Sequence, residues 1–185
     1  MKKGLFIIYM LFSSLNLFAQ LEAVKKAAEE GDVSAQMYMG QIYEEGRPSQ
    51  GIKQDYEKAA EWYQKAANQG DPDGQFKVAF LVSEIPGFLK NEEAQAFVIK
   101  HLMQASEKNH FHSQAYLGTL LTQHLHRFQT EGFEYLLRAE KNPNAHPAIY
   151  HSLGYCYYMG EGTERNLKEA ERCYQKASDA GISEA

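Results

Sequence analysis

Between residues 56 and 70 the small and apolar positions fall on one side of a helix. Ala59, Trp62 and Tyr63, Ala66 and Ala67 recur at the i, i+3, i+4, i+7 spacing that brings side chains onto one face. Upstream, AQMYMGQIY (35–43) predicts a second helix centred on Gly40, a residue without bulk where two helices can cross closely. The interval Gly46–Gly51 is glycine-rich, as a chain reversal with positive φ requires. Asp55 stands where the following helix needs a side-chain cap. The pattern therefore predicts helix, turn, helix.

The same pattern returns. With Gly154 set on Gly40, Tyr157 falls on Tyr43, Gly160 on Gly46 and Ala170 on Ala59; Cys173-Tyr174 falls on Trp62-Tyr63, and Gly181 on Gly70. Two weaker copies lie between, GDPDGQFKVAFLV around Ala79 and HSQAYLGTLL around Gly118, with EGFEYLLRA (131–139) as a further second helix. The anchors 40, 79, 118 and 154 are spaced by 39, 39 and 36 residues, a regularity that marks a repeat protein. Asn91 and Asn166 take the capping role of Asp55. In the middle copies Ile85-Pro86-Gly87 and His124-Leu125-His126 replace the turn glycines. LEAVKKAAEEG (21–31) reads as a solitary second helix capping the first unit. The expected domain is residues 20–185, with a cap helix at 21–31 and repeats near 32–70, 71–109, 110–144 and 145–181. One such helix pair cannot bury its apolar stripe alone, so neighbouring pairs must stack.

These elements resemble the Sel1-like repeat, a relative of the tetratricopeptide repeat. The first unit meets that pattern at Ala35, Gly40, Tyr43, Gly46, Gly51, Asp55, Lys58, Ala59, Trp62, Tyr63, Lys65, Ala66, Ala67 and Gly70, and departs from it by an insertion at Arg47–Gln50. The resemblance implies an all-α, right-handed α/α solenoid of about four repeats that binds a protein or peptide on its concave face. Periplasmic Sel1-like proteins include toxin-neutralising immunity proteins, which makes such a role one expectation. The alternative by family analogy is a weak penicillin-binding or β-lactamase-like hydrolase.

Composition narrows the partners. Tyr (12) and Phe (10) are plentiful and Pro (5) is scarce, which favours helices. The N-terminus MKKGLFIIYMLFSSLNLFAQ has a basic start at Lys2 and Lys3, an apolar stretch over Leu5–Phe12 and a small residue at Ala19. That is the layout of a signal peptide over residues 1–19, cleaved after Ala19, and it predicts a periplasmic or secreted protein. The stretch is shorter than the roughly 20 apolar residues of a membrane span, so no stable membrane insertion is expected after its removal. Losing Lys2 and Lys3 takes the formal charge from −5 to −7. An acidic surface of this kind argues against nucleic acid, whose binding depends on neutralising phosphates with basic side chains.

Candidate chemistry is sparse. The sequence carries no H-E-x-x-H, G-x-S-x-G or S-x-x-K motif, and no catalytic residue or cofactor is expected. His110 and His112, like His124 and His126, are two residues apart and point to different sides of a helix, so no metal site is expected within either pair. A site shared by both pairs is the alternative. Cys156 and Cys173 both fall in the last repeat; a disulfide between them is favoured in an oxidising compartment, with two buried thiols as the alternative. The candidate partner-binding groove flanks the anchors on the first helices. It comprises Met37, Gln41 and Glu44; Phe76, Phe80 and Ser83; Tyr116, Thr119 and Gln123; and His151, Tyr155 and Tyr158. Five of the twelve are aromatic, the residue type that anchors interfaces. Packing between repeats is the competing role for Phe76, Phe80 and Tyr155.

Overall fold

A computed structural model describes residues 19–125, 128–143 and 146–182. The leader assigned to residues 1–19 lies outside these apart from Ala19, and His126 and the segments 144–145 and 183–185 lie outside as well. The chain is all-α. Helix α1 covers residues 19–29. It is followed by α2 (Val33–Glu45), α3 (Tyr56–Asn68), α4 (Pro72–Ser83), α5 (Glu92–Glu107), α6 (Phe111–Thr119), α7 (Gln129–Glu140), α8 (Ala148–Met159) and α9 (Leu167–Asp179). No helix among the described residues is long and apolar enough to cross a membrane.

The helix starts follow from local chemistry. Asp55, Asn91 and Asn166 are extended and accept from the amides of Lys58, Ala94 and Glu169 at 3.0, 3.0 and 3.1 Å. Each satisfies one of the amides that a helix N-terminus leaves without an internal partner. The first helices are capped too, by Asp32, Asp71 and His110 onto Ala35, Gly74 and Ser113.

The chain divides into two compact units, residues 1–81 and 82–185. In the first, Ala28, Met39, Ile42 and Trp62 form the core, with Leu21, Val24 and Tyr43 packed on it. Gly40 lies flat against the ring of Tyr63, where any side chain would collide. Within the insertion Pro48–Gln50 forms a 3-10 turn, closed by paired Arg47 and Ile52 backbones. The chain leaves α2 at Gly46, whose φ of 75° favours glycine. The reversal is tied by the Asp55 amide to the Tyr43 carbonyl at 2.8 Å. Helix α4 then lays Gly74 on the end of α3; a Cβ there would stand 2.9 Å from the Ala67 nitrogen and 3.0 Å from the Ala66 methyl.

In the second unit the last pair repeats this design. Gly154 lies against Tyr174, Gly160 has a φ of 78°, and the Asn166 amide reaches the Tyr157 carbonyl at 2.8 Å. The α6–α7 pair solves the same problem without turn glycines. Its first helix ends in a π stretch, Leu120–His124, which buries Leu120, Leu121 and Thr122. Gly118 and Gly132 let the two helices meet, Gly118 against Leu136 and Gly132 against Leu121 and Thr122.

The bridge expected between Cys156 and Cys173 is absent: both are free thiols, buried in one cluster with Phe133, Leu136 and Leu153. Burial pushes the Cys156 thiol up to about 11. Cys173 is raised by burial as well. The pair serves as small apolar core residues, with Cys173 in the place that Trp62 holds in the first repeat.

Candidate functional site

In the first unit the candidate groove residues fall into two sets. Glu44 is engaged: it accepts from the Tyr63 hydroxyl at 2.5 Å and pairs with Lys77 at 3.0 Å. The Glu44–Lys77 pair links α2 to α4, and burial, then the Glu44 hydrogen bond, raises the Tyr63 hydroxyl pKa well above its ordinary value. Phe76 and Phe80, one helical turn apart, stack at 6.1 Å and are half-buried. Met37 is half-buried, and Gln41 is exposed with its amide on Glu45 at 2.8 Å.

In the second unit Ser83 and Tyr116 share a hydrogen bond of 2.7 Å, and burial raises the Tyr116 hydroxyl pKa. Thr119 bonds Ser152 at 3.0 Å, and Gln123 reaches the same hydroxyl at 3.5 Å. His151 stands edge-on to Tyr174 with ring centres 5.7 Å apart. The Tyr155 hydroxyl approaches Glu161 at 3.5 Å; its pKa is raised, first by burial and then by that carboxylate. Tyr158 is exposed, with the Arg165 guanidinium 5.5 Å from its ring centre.

Several groove candidates therefore also tie successive first helices together. Glu44–Lys77, Ser83–Tyr116 and Thr119–Ser152 each join residues 33 apart. With anchors 39 apart, this spacing connects the position four after one anchor to the position two before the next. In the third repeat the anchor spacing drops to 36 and a π stretch follows the anchor, and the bonding position moves to Thr119, one after the anchor. Lys77 and Ser152 were not among the sequence candidates. Their signal was present in the constant offset of 33, which becomes informative only once the polar partners are known to face each other.

Two further surfaces were not foreseen, both in the second unit. A groove of about 460 Å³ runs along α5 past Ala96, Ile99, Met103 and Phe128. A second, of about 520 Å³, lies over α9 between Tyr158, Leu167 and Tyr174. Among the described residues no group of three or more His, Cys, Asp or Glu side chains is arranged to hold a metal ion.

Comparison with known proteins fits this geometry. The Sel1 repeat family model matches residues 33–71 and 150–182, the first and last helix pairs with their glycine turns. The chain is 35% identical over 157 residues to a mouse protein named DAP3-binding cell death enhancer 1, covering 85% of this chain and 30% of that protein. It is 28% identical over 166 residues to an uncharacterized protein of Neisseria meningitidis serogroup B, covering 89% and 32%. The chain thus spans about a third of the length of these curated relatives. Among solved structures it resembles a protective antigen of uropathogenic Escherichia coli displaying an SLR fold. The TM-score is 0.72 at 27% identity, over 86% of this chain and 33% of that one. A Sel1 repeat protein from Oxalobacter formigenes gives a TM-score of 0.67 at 23% identity, over 89% and 64%, a likeness of fold alone.

Proposed function

The chain is a Sel1-like repeat protein of the α/α-solenoid class, and from that premise we propose that it is an exported scaffold that holds a protein partner on the face of its first helices. The observation that carries this reading is the aromatic character of that face. Phe76 and Phe80 in one unit, and Tyr155 in the other, are half-buried side chains that offer ring area without being sealed in a core. Such side chains supply large contact area at low entropic cost, which is why they anchor interfaces. A mammalian relative bears a name that describes binding to another protein, and protein binding is the activity such a scaffold supports.

Export is the second half of the proposal and rests on the N-terminal residues, from Lys2 to Ala19. Expressed in a bacterial host, the protein should be recovered outside the cytoplasm with Gln20 as its first residue. Recovery of the full-length chain in the cytoplasm contradicts this part alone.

The binding face is tested with a photo-crosslinking residue placed at Phe80 or Tyr155, and at exposed second-helix positions such as Glu57 and Lys168. In the native host, each first-helix position should trap a partner protein, and the second-helix positions should not. A partner trapped only from Glu57 or Lys168 moves the site to the other face and contradicts the proposal.

A further inference from the structure

Eight residues before each anchor stands the side chain that caps the start of a first helix: Asp32, Asp71, His110 and His146. In the first unit both caps are carboxylates. Asp32 accepts from the Ala35 amide and Asp71 from the Gly74 amide, each at 2.7 Å. In the second unit both are imidazoles. Nδ1 of His110 accepts from the Ser113 amide at 3.2 Å, with the Ser113 hydroxyl 2.8 Å from the same nitrogen. Nδ1 of His146 accepts from the Ala148 amide at 3.2 Å. Pro147 brings no N–H, so the Ala148 amide is the first that α8 presents.

The two chemistries do the same work at neutral pH and part company in acid. A carboxylate keeps its charge and its lone pairs between about pH 5 and 8, and its negative charge suits the positive end of the helix dipole. An imidazole accepts through Nδ1 only while it is neutral, with its proton on Nε2. Once protonated it is a donor at both nitrogens, and its charge opposes the dipole. The Ser113 hydroxyl can accept from such a donor, but the Ser113 and Ala148 amides lose their acceptors.

We propose that His110 and His146 make the second unit acid-sensitive: proton uptake there uncaps α6 and α8 together, while α2 and α4 stay capped by Asp32 and Asp71. The stabilisation is present while the imidazoles are neutral and is lost as pH falls. Helices α6 and α8 carry Tyr116, Thr119, Tyr155 and Tyr158. Any effect on a partner rests on the binding role proposed for that face, whereas the device itself lies in the helix starts alone.

Other charged and titratable groups border both caps. The end of α5 beside His110 carries Glu107 and Lys108, and the ring of His112 lies 5.7 Å from that of His110. The ends of α7 and α9, which pack on α8, carry Glu140 and Lys141, and Lys176 and Asp179. Glu140 is held by Arg172 at 3.3 Å and Lys176 at 3.7 Å, and Asp179 by Gln175 at 2.7 Å. These groups set where the midpoint falls, and they cancel when variants that retain them are compared.

The experiment compares the full-length protein with the double variant His110→Asn, His146→Asn. Asparagine already caps α5 and α9 in this chain, and it keeps its acceptor oxygen at every pH. From about pH 8 to about pH 5, hydrogen-exchange protection of the Ser113 and Ala148 amides should fall about five-fold, the scale of a lost cap. Ala35 and Gly74 should keep theirs. The double variant should show no such fall, and His124→Asn, at the exposed end of the π stretch, should fall as the wild type does. At about pH 8 the nitrogen-15 resonances of His110 and His146 should show the proton on Nε2. A proton on Nδ1 at that pH overturns the proposal, as does an acid loss that persists in the double variant or appears equally at Ala35 and Gly74.

Discussion

The first and last helix pairs share their anchor glycine, their seam tyrosine and the alanines around it, but their surroundings differ. In α2–α3 the ring of Tyr63 is packed by Gly40, its hydroxyl is held by Glu44, and Lys77 of α4 stands 5.7 Å from its centre. In α8–α9 the ring of Tyr174 meets Gly154 and His151 in the same way, yet its other side opens onto a groove. The difference teaches that the repeat residues specify the pair, and that the next helix specifies how much of the pair is core. A tyrosine of one sequence role is a buried structural residue in one unit and a half-exposed surface residue in the other.

The largest expected effect tests that contrast. Tyr63→Ala should cost about 4 kcal/mol of unfolding free energy, the range of large aromatic deletions in a packed core, and Tyr174→Ala only about 2 kcal/mol. Urea denaturation of the two variants reads the difference, and equal losses break the comparison. The second test adds bulk. Gly40→Ala pushes a methyl into a ring that cannot retreat, at a cost of about 3 kcal/mol, whereas Tyr174 can swing into the groove and limit the cost of Gly154→Ala to about 1 kcal/mol. If Gly154→Ala is as damaging as Gly40→Ala, the groove is not free space for the ring.

The helix pairs were legible in the sequence because their determinants are local. Anchors such as Gly40 and Gly154, caps such as Asp55 and Asn166, and the apolar i, i+3, i+4 face each show within one or two turns. The family model likewise matches the pairs in which the turn glycines survive. What was not legible depends on partners distant in sequence. The π stretch at Leu120–His124 arises where helices cross at Gly118 and Gly132, and no periodicity announces it. Lys77 and Ser152 look like ordinary surface residues until the neighbouring first helix supplies Glu44 and Thr119. Both thiols fall in one repeat, but whether they bridge is set by side-chain direction and packing, and both are buried as free thiols beside Phe133, Leu136 and Leu153.

A smaller effect sharpens the account of that core. The folded-state pKa of Cys156 is raised from its usual 9 to about 11, so the unfolded chain gives up this proton first. The resulting stability is fully present below pH 9 and is lost as pH rises through 11, at most about 2 kcal/mol across the window. Comparing alkaline stability curves of the wild type and Cys156→Ala isolates this part. The variant should decline less between pH 9 and 11, and parallel curves contradict a buried, protonated thiol.

The smallest effects belong to the contacts between first helices. Lys77→Met should cost about 0.5 kcal/mol, since its ion pair with Glu44 is partly exposed. Tyr116→Phe should cost about 1 kcal/mol through the lost bond to Ser83. Equilibrium denaturation resolves both when measured beside Tyr63→Ala, and larger losses than that variant shows would make these polar contacts, rather than the small-residue crossings, the main seam.

The contrast between the covered and uncovered helix ends is read most directly by native-state hydrogen exchange at matched positions. Amides at Ala66 and Ala67, under α4, should exchange only in the larger unfolding events of their unit. Those at Ala177 and Ser178 should exchange at least about 100-fold faster, through local fraying of α9 worth about 2.7 kcal/mol less. Equal protection at the two ends would show that α9 is held as firmly as α3 without a covering helix, and would contradict the account.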